Sequence, residues 1–213
     1  AALLRDRPAL LHTDAVQGFL KVPFTAGGLG ADYAVISAHK VGGPKGAGAL
    51  YIGGRAKNTL PLLFGGGQEG GLRPGTEATA QIAGFAKAVQ LRLADLEEGW
   101  ARMEACKAHA REKLGAIPDL RFVGPADAPH ILALSLPGYP SQNIVTELSG
   151  QGICISAGSA CHRGKASHVL TAMGLSKERI ASSLRVSFSR FSTEEDVEAL
   201  ISALEEGLRT IRH

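Results

Sequence analysis

An α/β fold in two parts is what this chain predicts, and three observations carry that expectation. Three short apolar runs lie near the N-terminus, a long stretch at helical spacing fills the middle, and apolar runs alternate with helical segments after it. Residues 10–16, Leu-Leu-His-Thr-Asp-Ala-Val, form a first strand. Residues 18–31 are a Gly-rich loop or short helix. Residues 32–37 give a second, buried strand and residues 47–52 a third, with a glycine turn between them. Short apolar runs of this kind belong to a sheet covered on both faces. Residues 65–76 crowd glycines around a proline and read as a loop. From Glu77 to Leu114 the apolar residues Ile82, Phe85, Ala86, Val89, Leu93 and Leu96 recur at helical spacing, in one helix or in two broken near Gly99. The predicted domain boundary lies inside this stretch, giving residues 1–95 and 96–213. The second part is a small α+β domain. It has strands over 130–136, 153–156 and 184–188 and helices over 141–149 and 193–211, the last opened by Thr193 with Glu194, Glu195 and Asp196 in its first turn. There is no internal repeat and no low-complexity segment.

Composition narrows the classes of function. With 213 residues, 45% of them hydrophobic, the chain can bury a core of one medium domain. A net charge of +3 without a Lys/Arg run gives no nucleic-acid footprint. Three cysteines, Cys106, Cys154 and Cys161, with no CxxC pair predict neither a disulfide framework nor a zinc site. No run approaches the roughly 18 apolar residues of a membrane span, and no signal peptide opens the chain. A reducing cytoplasm is the expected setting.

Residues 37–46 read Ser-Ala-His-Lys-Val-Gly-Gly-Pro-Lys-Gly. Lys40 thus follows the end of an apolar run, with Ser37 and His39 before it and a glycine turn after it. A lysine backed by phosphate donors in this way suits covalent attachment of pyridoxal phosphate. A carboxylate against the ring nitrogen is the second requirement, and Asp14 stands at another predicted strand end. Ser37 and His39, two apart, are expected on one side of a strand end. Cys161 closes the small-residue loop Ser156-Ala-Gly-Ser-Ala-Cys161 and is followed by His162, Arg163 and Lys165, cationic neighbours that lower a thiol pKa. Blander readings stand beside these: a surface lysine, an N-cap aspartate, a buried structural cysteine. Cys154, inside Ile153-Cys-Ile155, and Cys106, on a helix, read as structural. Arg185 alternates with Val186 and Phe188 and falls on the polar face of its strand; Arg190 reads as a surface charge.

Five segments in order, HTDAVQ (12–17), DYAVISAHKVGGPKGAGALYI (32–52), GGGQEGGLRPGTEA (65–78), ISAGSACHRGKASHVL (155–170) and SLRVSFSRFSTEEDV (183–197), resemble the cysteine desulfurases. These are NifS/IscS-like enzymes of the class-V aminotransferase family with the type I pyridoxal-phosphate fold. The resemblance implies the C-terminal half of such an enzyme, with part of the large-domain sheet in residues 1–95 and the small domain in residues 96–213. It implies pyridoxal phosphate as cofactor, held by Asp14 on the ring nitrogen, Gln17 on the ring hydroxyl, Lys40 covalently, and Ser37, Ala38 and His39 around the phosphate. Thr76 reaches a partner subunit's phosphate in a homodimer, and Arg185 clamps the carboxylate of L-cysteine. Lys40, Cys161 and His39 are the catalytic set. Cys161 takes the sulfur as a persulfide and passes it to an acceptor or scaffold protein for iron–sulfur cluster or thio-cofactor synthesis. No metal site is implied beyond a transient iron–sulfur contact at Cys161. Family members carry a long stretch before the equivalent of residue 1, with a ring-stacking histidine and an asparagine. The resemblance therefore also leaves open a fragment, a truncated product or one half of a split enzyme, inactive without a companion N-terminal segment. A selenocysteine lyase-like enzyme is the other alternative. The sequence departs from the family at Gly71, often arginine, and after Cys161, where His-Arg-Gly-Lys replaces small hydroxylic residues in a shorter loop.

Overall fold

The structure, a computed structural model, describes residues 1–4, 6–125, 127–158 and 167–211. The chain divides into two compact units, Ala1–Leu96 and Glu97–His213.

The first unit is built on three strands, β1 (His12–Asp14), β2 (Tyr33–Ser37) and β3 (Gly48–Ile52), in the order β1-β2-β3. β1 runs parallel to β2, with Asp14 opposite Val35; β2 and β3 are antiparallel, with Ser37 opposite Gly48. Gly48 is required there, because a Cβ would lie 2.7 Å from the Ile36 carbonyl oxygen. β1 stops before the expected Val16. The Ala15 carbonyl is taken by the N–H groups of Gly18 and Phe19, which turn the chain. A short helix α1 (Ala26–Leu29) is capped by the Thr25 hydroxyl, and α2 (Thr79–Ala94) closes the unit. The register of β1 is pinned at its start. The buried Asp32 carboxylate accepts the Leu11 N–H at 2.8 Å and lies 3.6 Å from Arg55, which in turn donates to the Arg7 and Ala9 carbonyls. The expectation of a sheet covered on both faces fails at β3. Leu50 and Tyr51, which point to opposite faces, are 50% and 42% exposed.

The helical stretch breaks at Asp95 (φ −125°, ψ 25°), not near Gly99. Aspartate competes with the helix backbone through its own carboxylate, whereas Gly99 is buried inside α3 (Leu96–Leu114).

The second unit has a four-stranded sheet of β4 (Arg121–Phe122), β5 (Ile131–Ser135), β6 (Ser156–Ala157) and β7 (Ser183–Ser187), in the order β4-β5-β7-β6, with every pair antiparallel. Its helices are α3, α4 (Ser141–Gly150), α5 (His168–Ala172), α6 (Lys177–Ala181) and α7 (Glu194–Thr210). Period-3.6 spacing explains the core: Val197, Leu200, Ile201 and Leu204 of α7 and Met103, Cys106, Ala110 and Leu114 of α3 form inward stripes. They meet Leu132 and Leu134 of β5, Leu184 and Val186 of β7, and Ile144 and Leu148 of α4. α7 starts with a capping box, Thr193 and Asp196 each accepting the other's backbone N–H. The expected strand at 153–156 is reduced to β6, because the Ile153 N–H is drawn to the Leu148 carbonyl at the end of α4 instead of to a sheet partner.

Candidate active site

Parallel pairing of β1 and β2 sends both C-terminal ends to one edge of the first unit's sheet, where α/β folds place ligands. Asp14 ends β1 and Ser37 ends β2. The chain then makes a single tight turn over Ala38–Val41, closed by the Gly42 and Gly43 N–H groups on the Ala38 carbonyl. Gly42 has φ 90°, a conformation open to glycine. This turn, and not strand alternation, brings Ser37 and His39 together: Ser37 Oγ and His39 Nδ1 share a hydrogen bond of 2.7 Å. Lys40 is half-buried in the same turn, and among the described residues no carboxylate pairs with it. Asp14 is exposed; one of its oxygens accepts the Val16 N–H at 3.0 Å, which fixes the carboxylate at the strand end. Gln17 is exposed and accepts from Lys21 at 3.2 Å.

Ala38, expected beside the cofactor, is 0% exposed and donates its N–H to the Ala47 carbonyl. Thr76 lies exposed in the loop after Gly75. Gly71 has φ 80°, a backbone conformation that favours glycine.

In the second unit Arg185 occupies the middle of β7, between Ala133 of β5 and Ser156 of β6. One guanidinium nitrogen, Nη2, donates to Ser156 Oγ at 3.3 Å. The Nε–H is buried and has no hydrogen-bond partner among the described residues. A cavity of about 210 Å³ lies beside it, lined by Ala133, Gly158, Ser167, Leu170 and Arg185 among others. Ser156 had no signal in sequence spacing, because its pairing with a residue 29 positions away depends on register. Arg190 stacks its guanidinium 4.3 Å above the Phe191 ring.

The cysteines separate by environment. Cys161, with His162, Arg163 and Lys165, lies outside the described residues. Cys154 is exposed, contrary to a buried structural role: the segment before β6 does not join the sheet and so is not enclosed by it. Cys106 is buried and donates to the Ser192 carbonyl at 3.5 Å. Burial, followed by the nearby Asp196 charge, pushes its thiol pKa up. It borders a larger cavity of about 460 Å³ with Arg102, His109 and Glu194, but a protonated thiol is a poor nucleophile. No group of His, Cys, Asp and Glu able to hold a metal occurs among the described residues. No helix there is long and apolar enough to cross a membrane.

Residues 1–200 match the family profile described as Aminotransferase class-V. The chain belongs to this family. Among the class-V aminotransferase relatives, "Cysteine desulfurase" of Trichormus azollae is 36% identical over 98% of this chain and 53% of its own length. "Putative cysteine desulfurase IscS 1" of Bacillus subtilis is 37% identical over 92% of this chain and 53% of its own. The solved structure of a NifS-like protein from Rickettsia africae superposes with a TM-score of 0.88 at 35% identity, covering 98% of this chain and 56% of that one. The chain spans about half the length of the curated relatives it matches.

The donor set at the strand ends fits pyridoxal phosphate: a lysine with no carboxylate partner among the described residues, a hydroxyl–imidazole pair suited to a phosphate, and a carboxylate anchored at the neighbouring strand end.

Proposed function

We propose that this chain carries cofactor and substrate groups of a pyridoxal-phosphate-dependent cysteine desulfurase, converting L-cysteine to L-alanine with a persulfide formed on Cys161. The observation that carries this reading is the placing of Lys40, the Ser37–His39 pair and Asp14 at the same edge of a parallel strand pair. When bound, pyridoxal phosphate supplies an electron sink at the substrate Cα. Asp14 would offer its carboxylate to the ring nitrogen to keep a proton there, and Gln17 would hydrogen-bond the ring hydroxyl. Ser37 and His39 hold the phosphate. Lys40 Nζ would hold the cofactor, and its amine would move the proton at the substrate Cα. Arg185 takes the substrate carboxylate with its fork of N–H donors. The Cys161 thiolate attacks the substrate sulfur: the new S–S bond forms, the Cβ–S bond breaks, and the carbon skeleton takes up a proton and leaves as alanine. The persulfide then passes to an acceptor protein. Thr76 serves a partner subunit's phosphate in a homodimer, and the setting is the cytoplasm.

The test is an absorbance spectrum of the chain with added pyridoxal phosphate, borohydride reduction and peptide mapping, then sulfide release from L-cysteine. A visible band with label on Lys40, and sulfide from the wild type but not from Cys161→Ser, is the expected result. A second reading is favoured by the exposed apolar residues of the first unit: the chain reaches activity only with a companion segment. Labelling of Lys40 that requires an added N-terminal half of a relative would establish that reading.

A further inference from the structure

We infer that Ser156 is a positioning residue for Arg185, setting the guanidinium for a ligand carboxylate. This rests on the clamp role proposed for Arg185 above. Ser156 and Arg185 are direct cross-strand partners of β6 and β7, so their side chains stand on one face of the sheet. On the other side of β7 the partner is Ala133, which has no polar group and is too small to hold a guanidinium. Ser156 is thus the side chain in strand register that can fix the long, rotamer-rich arginine, and it does so through Nη2 at 3.3 Å. The buried Nε–H is left without an acceptor among the described residues. An orphaned buried donor on a cation is costly, and an incoming carboxylate beside the cavity of about 210 Å³ would relieve it. Serine suits the task because it accepts a hydrogen bond without neutralising the charge. An aspartate there would pair with Arg185 and compete with the ligand. Holding the guanidinium in place before binding reduces the ordering cost of binding, so the effect belongs in affinity for carboxylates and not in the chemical step.

The experiment is a titration of the full chain with L-alanine and with ethylamine, which lacks the carboxylate. Affinity is read by calorimetry, and the Arg185 side-chain Nε–H signal by nitrogen-edited NMR. Wild type, Ser156→Ala, Ser156→Thr and Arg185→Gln are compared, each checked for a wild-type thermal melt. Ser156→Ala is expected to weaken L-alanine binding about fivefold, leave ethylamine unchanged and broaden the Arg185 signal; Ser156→Thr restores both. Arg185→Gln removes the preference for L-alanine. If Arg185→Gln removes it while Ser156→Ala titrates like wild type, the positioning role is overturned and the clamp stands. If L-alanine is bound equally with and without Arg185, or not at all by the wild type, the clamp itself fails and the inference falls with it.

Discussion

In the second unit α7 buries Val197, Leu200, Ile201 and Leu204 against α4 and the sheet, whereas in the first unit Leu60, Leu62, Leu63 and Phe64 follow one another in solvent. Leu62 is 93% and Phe64 88% exposed, and every member of the buried apolar cluster comes from the second unit. Yet the first unit holds Lys40, Asp14 and the Ser37–His39 pair. The comparison teaches that local geometry and closed packing are separable. Short-range hydrogen bonds shape the lysine turn, while the apolar run at residues 60–64 of the same unit remains uncovered. Contiguous exposed apolar surface of this kind marks an interaction surface.

The largest effect that would sharpen the contrast is in the core of the second unit. Leu148→Ala, at a fully buried site, should cost about 2–5 kcal/mol in urea unfolding. Leu62→Ala should stay within about 0.5 kcal/mol. Equal losses would break the comparison. Next, Thr193→Ala removes half of the capping box and should cost about 1 kcal/mol, read as a shift of the same unfolding curve. Alkylation with iodoacetamide should modify Cys154 before Cys106, followed by mass spectrometry, since burial both hides the Cys106 thiol and raises its pKa. The smallest effect is one of pH. The hydrogen bond from His109 at 2.6 Å, helped by Lys113, holds the Glu198 pKa below the ordinary carboxylate value. A carboxylate depressed in the folded state contributes stability that is full above its unfolded pKa and is lost as pH falls through the folded pKa. Unfolding midpoints from pH 6 down to about pH 3 should therefore decline less steeply in Glu198→Gln than in the wild type; parallel curves would remove this contribution.

Much of this was legible from residue order. The α7 stripe and Thr193 cap announce themselves, because period and capping chemistry are local. The alternation that put Arg185 on a polar face holds, with Leu184 and Val186 buried on either side of it. The failures share a cause. Whether Ile153–Ile155 joins a sheet and whether β3 is covered both depend on which distant backbone comes alongside. In the site, Lys40 was visible as a motif, but the Ser37–His39 bond arises from the turn after β2 and the Ser156–Arg185 bond from β6–β7 register, neither of which spacing encodes.

The clasp around Asp32 has a consequence beyond holding the chain's first strand. Along a strand, each residue step reverses the side toward which a side chain points. If the Asp32 and Arg55 bonds let β1 slide by a single position against β2, the Asp14 carboxylate would face the wrong side of the sheet with every atom of its own still intact. Asp32 and Arg55, remote from Asp14 in sequence, therefore share with the β1–β2 backbone bonds the task of aiming its carboxylate.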